Sequence, residues 1–524
     1  MNKFLKAVGF DKEAKQTTVK TEIVAGIVTF LAMAYILMVN PAQILVDKGL
    51  SAYWPSVFIA TALGAVIGTM LMAFVAKMPL AQASGMGLNS LLGGLVAVWA
   101  GDTYGVTFTL GQAFMMVLIS GVIFLLLTTI TIKGKSFREL VFDGMPVAVR
   151  SAISVGIGLF IAYIGMQNAG MIVTNNFTQV GFVDLTNWGS QVVNNGAVSP
   201  NSPAGSILLE EVQYGFAAKT ACVALIGLLL IAILDKAKVK GSIIFGIIGA
   251  TLAGIPLGIT DLSVIAGTEG ISWKFWNNYS NFFAGETSVF GSFVDVFKTG
   301  FPAGSIFTVI MIVITMCMID MFDTMGTIVG CCGGNRILSD ENNKPHNYGK
   351  IMLCDSIATC TGAMLGTSTV TTFVESGAGV SAGGRTGLTA FTVAVLFLIA
   401  TLAMPLFAVI PSAATASALI YVGVLMMKNN IKSVDFSNAV NATAAFLTIV
   451  VMVLSYSITK GIGIGLITFT VMSSISYVVD SIKYAVAKKN ATEGAEIAKP
   501  KWEVSVVSII VTALFIVYFF VPVA

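Results

Sequence analysis

The chain has 524 residues, of which 56% are hydrophobic and only 10% charged, with a net charge of +3 and a mean hydropathy of +0.89. Soluble domains carry about 25% charged residues, so this composition cannot cover a water-facing surface and the soluble classes are excluded. What remains is an integral membrane protein with a lipid bilayer as its solvent.

The segment 1–20, "MNKFLKAVGFDKEAKQTTVK", is basic and polar and lacks the pattern of a cleavable signal peptide. A basic segment ahead of the first span predicts a cytoplasmic N-terminus. Apolar runs suited to spanning, for which about 17–25 residues are needed, follow at 21–44, 53–76, 80–100, 107–132, 148–172, 215–234 and 241–259. A second set lies at 303–330, 350–366, 368–381, 387–410, 412–428, 439–458 and 461–482. These make an all-α polytopic chain of fourteen spans; the period-two pattern of outer-membrane barrels is absent.

The loops "KGKSFREL" (133–140), "DKAKVK" (235–240), "GGNRILSDENNKPHNYGK" (333–350) and "KNNIK" (428–432) carry the Lys and Arg expected of the cytoplasmic side. No Lys or Arg lies between Arg150 and Lys219, which puts the polar loop 173–214 outside, and 260–302 forms a second exterior segment. The last apolar stretch, 503–523, follows a charged linker and reads either as a fifteenth span or as an interfacial helix. The six cysteines form no CxxC pair and read as packing residues. His346, the sole histidine, sits in a polar loop, so no metal site, His-based proton relay or cofactor is expected.

Two segments differ from the rest. "LAQASGMGLNSLLGGL" (80–95) and "GTSTVTTFVESGAGVSAGG" (366–384) are rich in Gly, Ser and Thr, and each holds one strongly polar side chain, Asn89 and Glu375. They occupy the third place in each set of seven, and Asn40-Pro41 interrupts the first span where Asp320 and Asp323 interrupt the eighth. Seven spans per half means that the halves insert in opposite directions. Short, Gly-interrupted segments at matching places mark a transporter site near the bilayer midplane.

A carboxylate at the centre of a spanning helix costs about 2.5–3.5 kcal/mol. Asp320 and Asp323, spaced i, i+3, project from one helix face, and Thr371, Thr372 and Glu375 extend a polar face toward the same interior. Three acids with no basic residue inside a span suit a ligand rich in N–H donors, and at least one is expected to exchange protons. An anion transporter would need a positive site instead. An intramembrane aspartyl protease would need two aspartates on different helices, whereas these two share one, so the chain is not read as an enzyme.

"AGIVTFLAMAYILMVNP", "SGMGLN", "IGLFIAYIGMQNAG", "DMFDTMGT", "GTSTVTTFVESGAGVSAGGRTGLTA" and "ALIYVGVLMMK", in order over residues 17–482, closely resemble the AzgA-like adenine–guanine–hypoxanthine permeases of the nucleobase–cation symporter-2 (nucleobase–ascorbate transporter) superfamily. The resemblance implies the uracil-permease-like fold, two inverted repeats of seven spans with short strands in discontinuous spans three and ten. It implies a core domain of 21–147 and 303–411, a gate domain of 148–259 and 412–482, and a C-terminal addition, 483–524, of cytoplasmic linker and extra apolar segment.

The activity implied is purine nucleobase import (adenine, guanine, hypoxanthine) by proton symport, with sodium the less favoured ion and an elevator movement of core past gate. A facilitative carrier or an anion transporter of the same fold is the alternative. Carried over by motif, the substrate residues are Gly87, Asn89, Asp320, Asp323 and Glu375, with Thr371, Thr372, Phe322 and Phe373 in support, and Asp320, Asp323 and Glu375 as proton-coupling acids. Glu375 and Asp320 are the expected direct contacts, with Asp323 as the coupling or supporting acid. A homodimer in the cell membrane is implied, and no nucleic-acid partner. The chain departs from the family at Ser84, where Pro is usual, and at Ser90-Leu91-Leu92, where aromatic residues are common.

Overall fold

The structure, a computed structural model, describes all residues except 1–2, 12–14, 46–47, 97–105, 133–134, 137–143, 176–178, 184, 186–216, 240, 267–270, 333–336, 340–344, 456–457, 491–498 and 521–524. Most of the loop 173–214, expected to be exterior, thus lies outside the described residues. Its start is an antiparallel hairpin, Ile172–Asn175 with Gln179–Phe182.

Each predicted span has its counterpart. In the first half these are α1 (Val19–Met33), α2 (Ile36–Ile44), α3 (Trp54–Leu71), β1 (Gln82–Ser84), α4 (Met86–Val96), α5 (Leu110–Thr129), α6 (Val147–Asn168), α7 (Ala217–Lys236) and α8 (Ser242–Gly254). Two short amphipathic helices follow, α9 (Phe275–Ala284) and α10 (Val289–Thr299). The second half has α11 (Ile306–Cys332), α12 (Tyr348–Leu365), β4 (Val370–Thr372, the hairpin strands Ile172–Asn175 and Gln179–Phe182 being β2 and β3), α13 (Ser376–Ser381), α14 (Gly387–Ala400), α15 (Ser412–Asn430), α16 (Ala439–Leu454) and α17 (Ile458–Asn490). The last element is α18 (Val506–Phe520). Among the described residues, seven helical stretches are long and apolar enough to cross a membrane, one of them, Val19–Ile44, made of α1 and α2 together. The chain divides into two compact units, 1–131 with 161–422, and 132–160 with 423–522.

Helix ends are closed by side chains, because lipid offers no water to do it. Thr109 and Gln112 cap α5 reciprocally, and Thr18, Ser288, Thr386 and Asn438 cap the starts of α1, α10, α14 and α16. The first span breaks at Ala34–Tyr35 rather than at Asn40-Pro41. A proline ring crowds the carbonyl four residues back, here Leu37, so the ladder ahead of Pro41 tightens to i→i−3 bonds from Leu37 to Ala34 and from Met38 to Tyr35. The eighth span, by contrast, runs unbroken through Asp320 and Asp323 as α11.

In the first unit, α3 ends in a π-turn, Met72–Ala76, closed by a left-handed Lys77, and the chain reverses into β1. Gly366, at φ +90°, ends α12 and turns the chain toward β4. Val370 of β4, fully buried, sits in a notch of three glycines. Its methyls lie 3.1 Å, 2.8 Å and 2.5 Å from where a Cβ would stand on Gly64, Gly68 and Gly362. Gly64 and Gly68 share one face of α3, so the strand is clamped between α3 and α12.

In the second unit, Gly461 and Gly465 let α17 close on Met452 and Thr448 of α16. The C-terminal α18 runs antiparallel along α17. Gly463 meets Phe515 and Phe519, Thr470 bonds Thr512 at 2.9 Å, and Tyr477 stacks edge-on with Trp502. Ser508 anchors its start on the Gly144 carbonyl at 3.0 Å. At 1.5 Å per residue this helix is about 22 Å long, short of the ~30 Å hydrocarbon core, but its alignment along α17 leads us to expect a crossing rather than an interfacial helix. A tag appended after Ala524 is therefore expected on the membrane face opposite to one inserted after Asn490, as read by protease or thiol-reagent accessibility; the same face for both would refute the crossing.

Candidate functional site

β1 and β4 meet as a two-stranded antiparallel pair with Gln82 opposite Thr372, Ala83 opposite Thr371 and Ser84 opposite Val370. Bonds from the Gly85 N–H to the Thr369 carbonyl (2.8 Å) and from the Phe373 N–H to the Ala81 carbonyl (3.0 Å) extend it. Each half of the chain thus supplies one strand, and each strand runs into a short helix, α4 or α13. The pairing satisfies backbone that no regular helix could satisfy here.

Side chains alternate across this pair, so Thr371 and Thr372 point to opposite faces. The helical-face reasoning that grouped them fails because 370–372 is strand. Thr372 accepts from the Gln82 amide (3.3 Å), which also reaches Asp355 of α12 (3.4 Å). On the other face the Thr369 and Thr371 hydroxyls are buried without hydrogen-bond partners, each 3.2 Å from where a Cβ on Gly85 would stand.

Glu375 follows β4 at the entrance to α13 and is 7% exposed. Its Oε1 accepts from the Tyr35 hydroxyl at 2.5 Å, and its Oε2 has no hydrogen-bond partner among the described residues. Tyr35 is fully buried at the break between α1 and α2, and its hydroxyl also lies 3.7 Å from the Met86 sulfur. On α11, Asp323 is half-buried and lies within the electrostatic reach of Glu375 and Asp355; Tyr35 feels both Glu375 and Asp323. Asp320, one turn earlier, is fully buried, and its Oδ2 accepts from Thr359 of α12 at 3.4 Å.

Two residues of this cluster escaped the sequence reading. Asp355, fully buried on α12, accepts from Thr324 of α11 at 2.9 Å; its signal was a lone acid inside the apolar run 350–366. Tyr35 carried no signal at all, since tyrosines are common in spans.

Gly87 is the second residue of α4 and is buried. Asn89 is fully buried and its amide is taken up by protein. Its Oδ1 accepts from Ser84 (3.3 Å) and from Ser368, and its Nδ2 donates to Gln43 at 3.2 Å. Ser84 also bonds Thr367 and Ser368, both at 2.8 Å, and Asn40 donates to Thr61 (2.6 Å) and Thr367 (2.9 Å). This network ties α2 to both discontinuous segments, and it accounts for Ser84. A proline there would offer neither the hydroxyl nor a strand N–H. Phe373 is buried, with its carbonyl facing the Cys331 thiol (3.8 Å). The side chain of Phe322 lies outside the described residues.

Residues 20–202 and 203–464 match the xanthine/uracil permease model, described as "Permease family". The chain is 34% identical over 456 residues to the adenine permease AdeP of Escherichia coli K12, covering 87% of each. It is also 34% identical over 472 residues to the guanine/hypoxanthine permease PbuO of Bacillus subtilis 168, covering 89% of this chain and 94% of that one. Among solved structures, the transmembrane domain of the cyanobacterial bicarbonate transporter BicA superposes with a TM-score of 0.55 at 16% identity, over 86% of this chain and 98% of that one. At that identity the likeness is one of fold.

Proposed function

The chain belongs to the xanthine/uracil permease family, and from that premise we propose that it imports purine nucleobases across the cell membrane by proton symport. The observation that carries this reading is the Glu375 carboxylate, buried, held by Tyr35 on one oxygen and without a hydrogen-bond partner on the other. Leaving a buried acceptor unmade costs about 1–3 kcal/mol, more for a charged one, and a ligand N–H removes that cost. Adenine, guanine and hypoxanthine carry such donors, and the names of the two permease relatives point to the same class.

Asp323, half-buried and in the field of Glu375, is the second proposed ligand contact. Asp320, fully buried against Thr359, is its support. This reverses the order expected from the sequence, because the two differ in exposure and not in chemistry. Thr371 offers an unpartnered hydroxyl, Gly87 a backbone N–H in the first turn of α4, and Asn89 holds the discontinuous segments in place. A proton bound among Asp323, Asp355 and Glu375 would relieve part of the repulsion between neighbouring carboxylates, and it is the coupling ion of this reading. Alternating access is by elevator movement of the core domain past the gate. An anion transporter would place its cargo beside these acids, which argues against that alternative.

The test is uptake of labelled hypoxanthine in cells expressing the chain, competed with adenine, guanine, uracil, sulfate and bicarbonate. Purines are expected to compete and the anions not. A protonophore is expected to collapse accumulation, and accumulation unchanged by it would remove the proton from the cycle. Bicarbonate or sulfate uptake without purine uptake would replace the reading altogether.

A further inference from the structure

We propose that Tyr35 is a specificity-determining residue: by donating to Oε1 of Glu375 it takes one lone pair and part of the charge of that oxygen, so that a second ligand N–H gains less there than at Oε2. This rests on the proposed function and goes beyond it. The hydroxyl has one proton to give and stands within reach of two acceptors, Glu375 Oε1 at 2.5 Å and the Met86 sulfur at 3.7 Å. The nearer carboxylate oxygen takes it, since a thioether sulfur is only a weak acceptor. Tyr35 is fully buried and Glu375 is 7% exposed, so water does not compete freely for either oxygen. The oxygen left fully open to a ligand is Oε2, which is unpartnered among the described residues.

A carboxylate with both oxygens open accepts two parallel N–H bonds, the arrangement that makes paired donors bind best. Guanine presents such a pair, its ring N1–H beside its 2-amino group, whereas hypoxanthine presents the N1–H without the amino group. With Oε1 already bonded to Tyr35, the second donor of guanine gains less at Glu375 than it would at an open carboxylate, and the two bases are met more nearly alike there. The position of Tyr35 makes this possible. The distortion ahead of Pro41 sets the α1–α2 break at Ala34–Tyr35, turning the phenol toward a residue 340 positions away.

Tyr35→Phe removes the hydroxyl and little else. In the variant Oε1 is a buried acceptor with no donor, and hypoxanthine, unable to fill it, gains nothing from the change. Guanine fills it with its second N–H. The inhibition constants of unlabelled guanine and hypoxanthine are measured against one labelled purine, in wild type and in Tyr35→Phe. The ratio is expected to move about ten-fold toward guanine, the scale of one hydrogen bond to a charged group. The ratio does not depend on how much protein is inserted, and a loss of packing at Tyr35 would weaken both bases alike. If the variant transports nothing, the same ratio is read from calorimetric binding to the purified protein. An unmoved ratio, equal weakening of both, or binding of neither overturns the proposal. Wild-type protein that takes up no purine overturns the functional reading instead, so the two failures are distinguishable.

Discussion

Glu375→Gln is expected to abolish high-affinity purine uptake while the chain still inserts. The substitution keeps size and shape and changes only charge and one acceptor. Tyr35 donates to Oε1, which fixes the amide with its oxygen toward the phenol and its NH2 where Oε2 stood. A donor then faces the ligand's own N–H. The loss combines a charge-assisted bond with a buried mispairing, about 3–4 kcal/mol together, or ~100–1,000-fold in apparent affinity. Asp320→Asn is expected to act in the same direction, since Asp320 is fully buried beside the strand that precedes Glu375 and accepts from Thr359. The measurement is initial uptake of labelled hypoxanthine, normalised to inserted protein. Normal uptake by either variant would overturn its assignment.

Gly362→Leu is expected to lose uptake for a different reason, without touching an acid. Val370 lies 2.5 Å from where the new Cβ would be placed, and the Ser368 carbonyl 3.1 Å. Neither can yield cheaply: Val370 is β-branched and pinned by Gly64 and Gly68 from α3, and Ser368 is bonded to Ser84 and Asn89. Overpacking of this kind costs about 1–3 kcal/mol, and the release is displacement of β4, which carries Glu375 with it. Gly349→Leu, on the same helix with open space around its Cβ, is the control. A thermal-shift assay on purified protein is expected to show a lowered midpoint for Gly362→Leu and little change for Gly349→Leu. Equal behaviour of the two would show that the notch does not hold the strand.

Much of the architecture was legible in the residues because hydrocarbon imposes it: most apolar runs of spanning length map onto helices, the first being split into two and the third and tenth into a strand and a short helix. The third and tenth segments stood out because Gly, Ser and Thr replace aliphatic residues, and those are the two segments that pair as strands. Their register could not be read, because Gln82 meets Thr372 across 290 positions and no local pattern encodes a partner so distant. The acids at 320, 323 and 375 announced themselves by the cost of burying charge. Asp355 has the same chemistry, but its neighbours gave it no motif. Tyr35 was illegible for the reason it matters, since its hydroxyl has meaning only beside a carboxylate from the other half. Pro41 signalled a break correctly and misplaced it, because a proline disturbs the turn before it rather than its own position.

The β1–β4 ladder also constrains how the molecule is made. Residues 82–84 leave the ribosome long before 370–372 exist, so for most of synthesis their peptide groups lack the partner that completes them. Such backbone is not stable in bare lipid, and the first half must keep it sheltered, in the translocon or beneath neighbouring helices, until the tenth segment arrives. The proposed substrate site therefore cannot be complete until the second half is being made, and a nascent chain halted before residue 370 would lack the strand pair on which that site is proposed to rest.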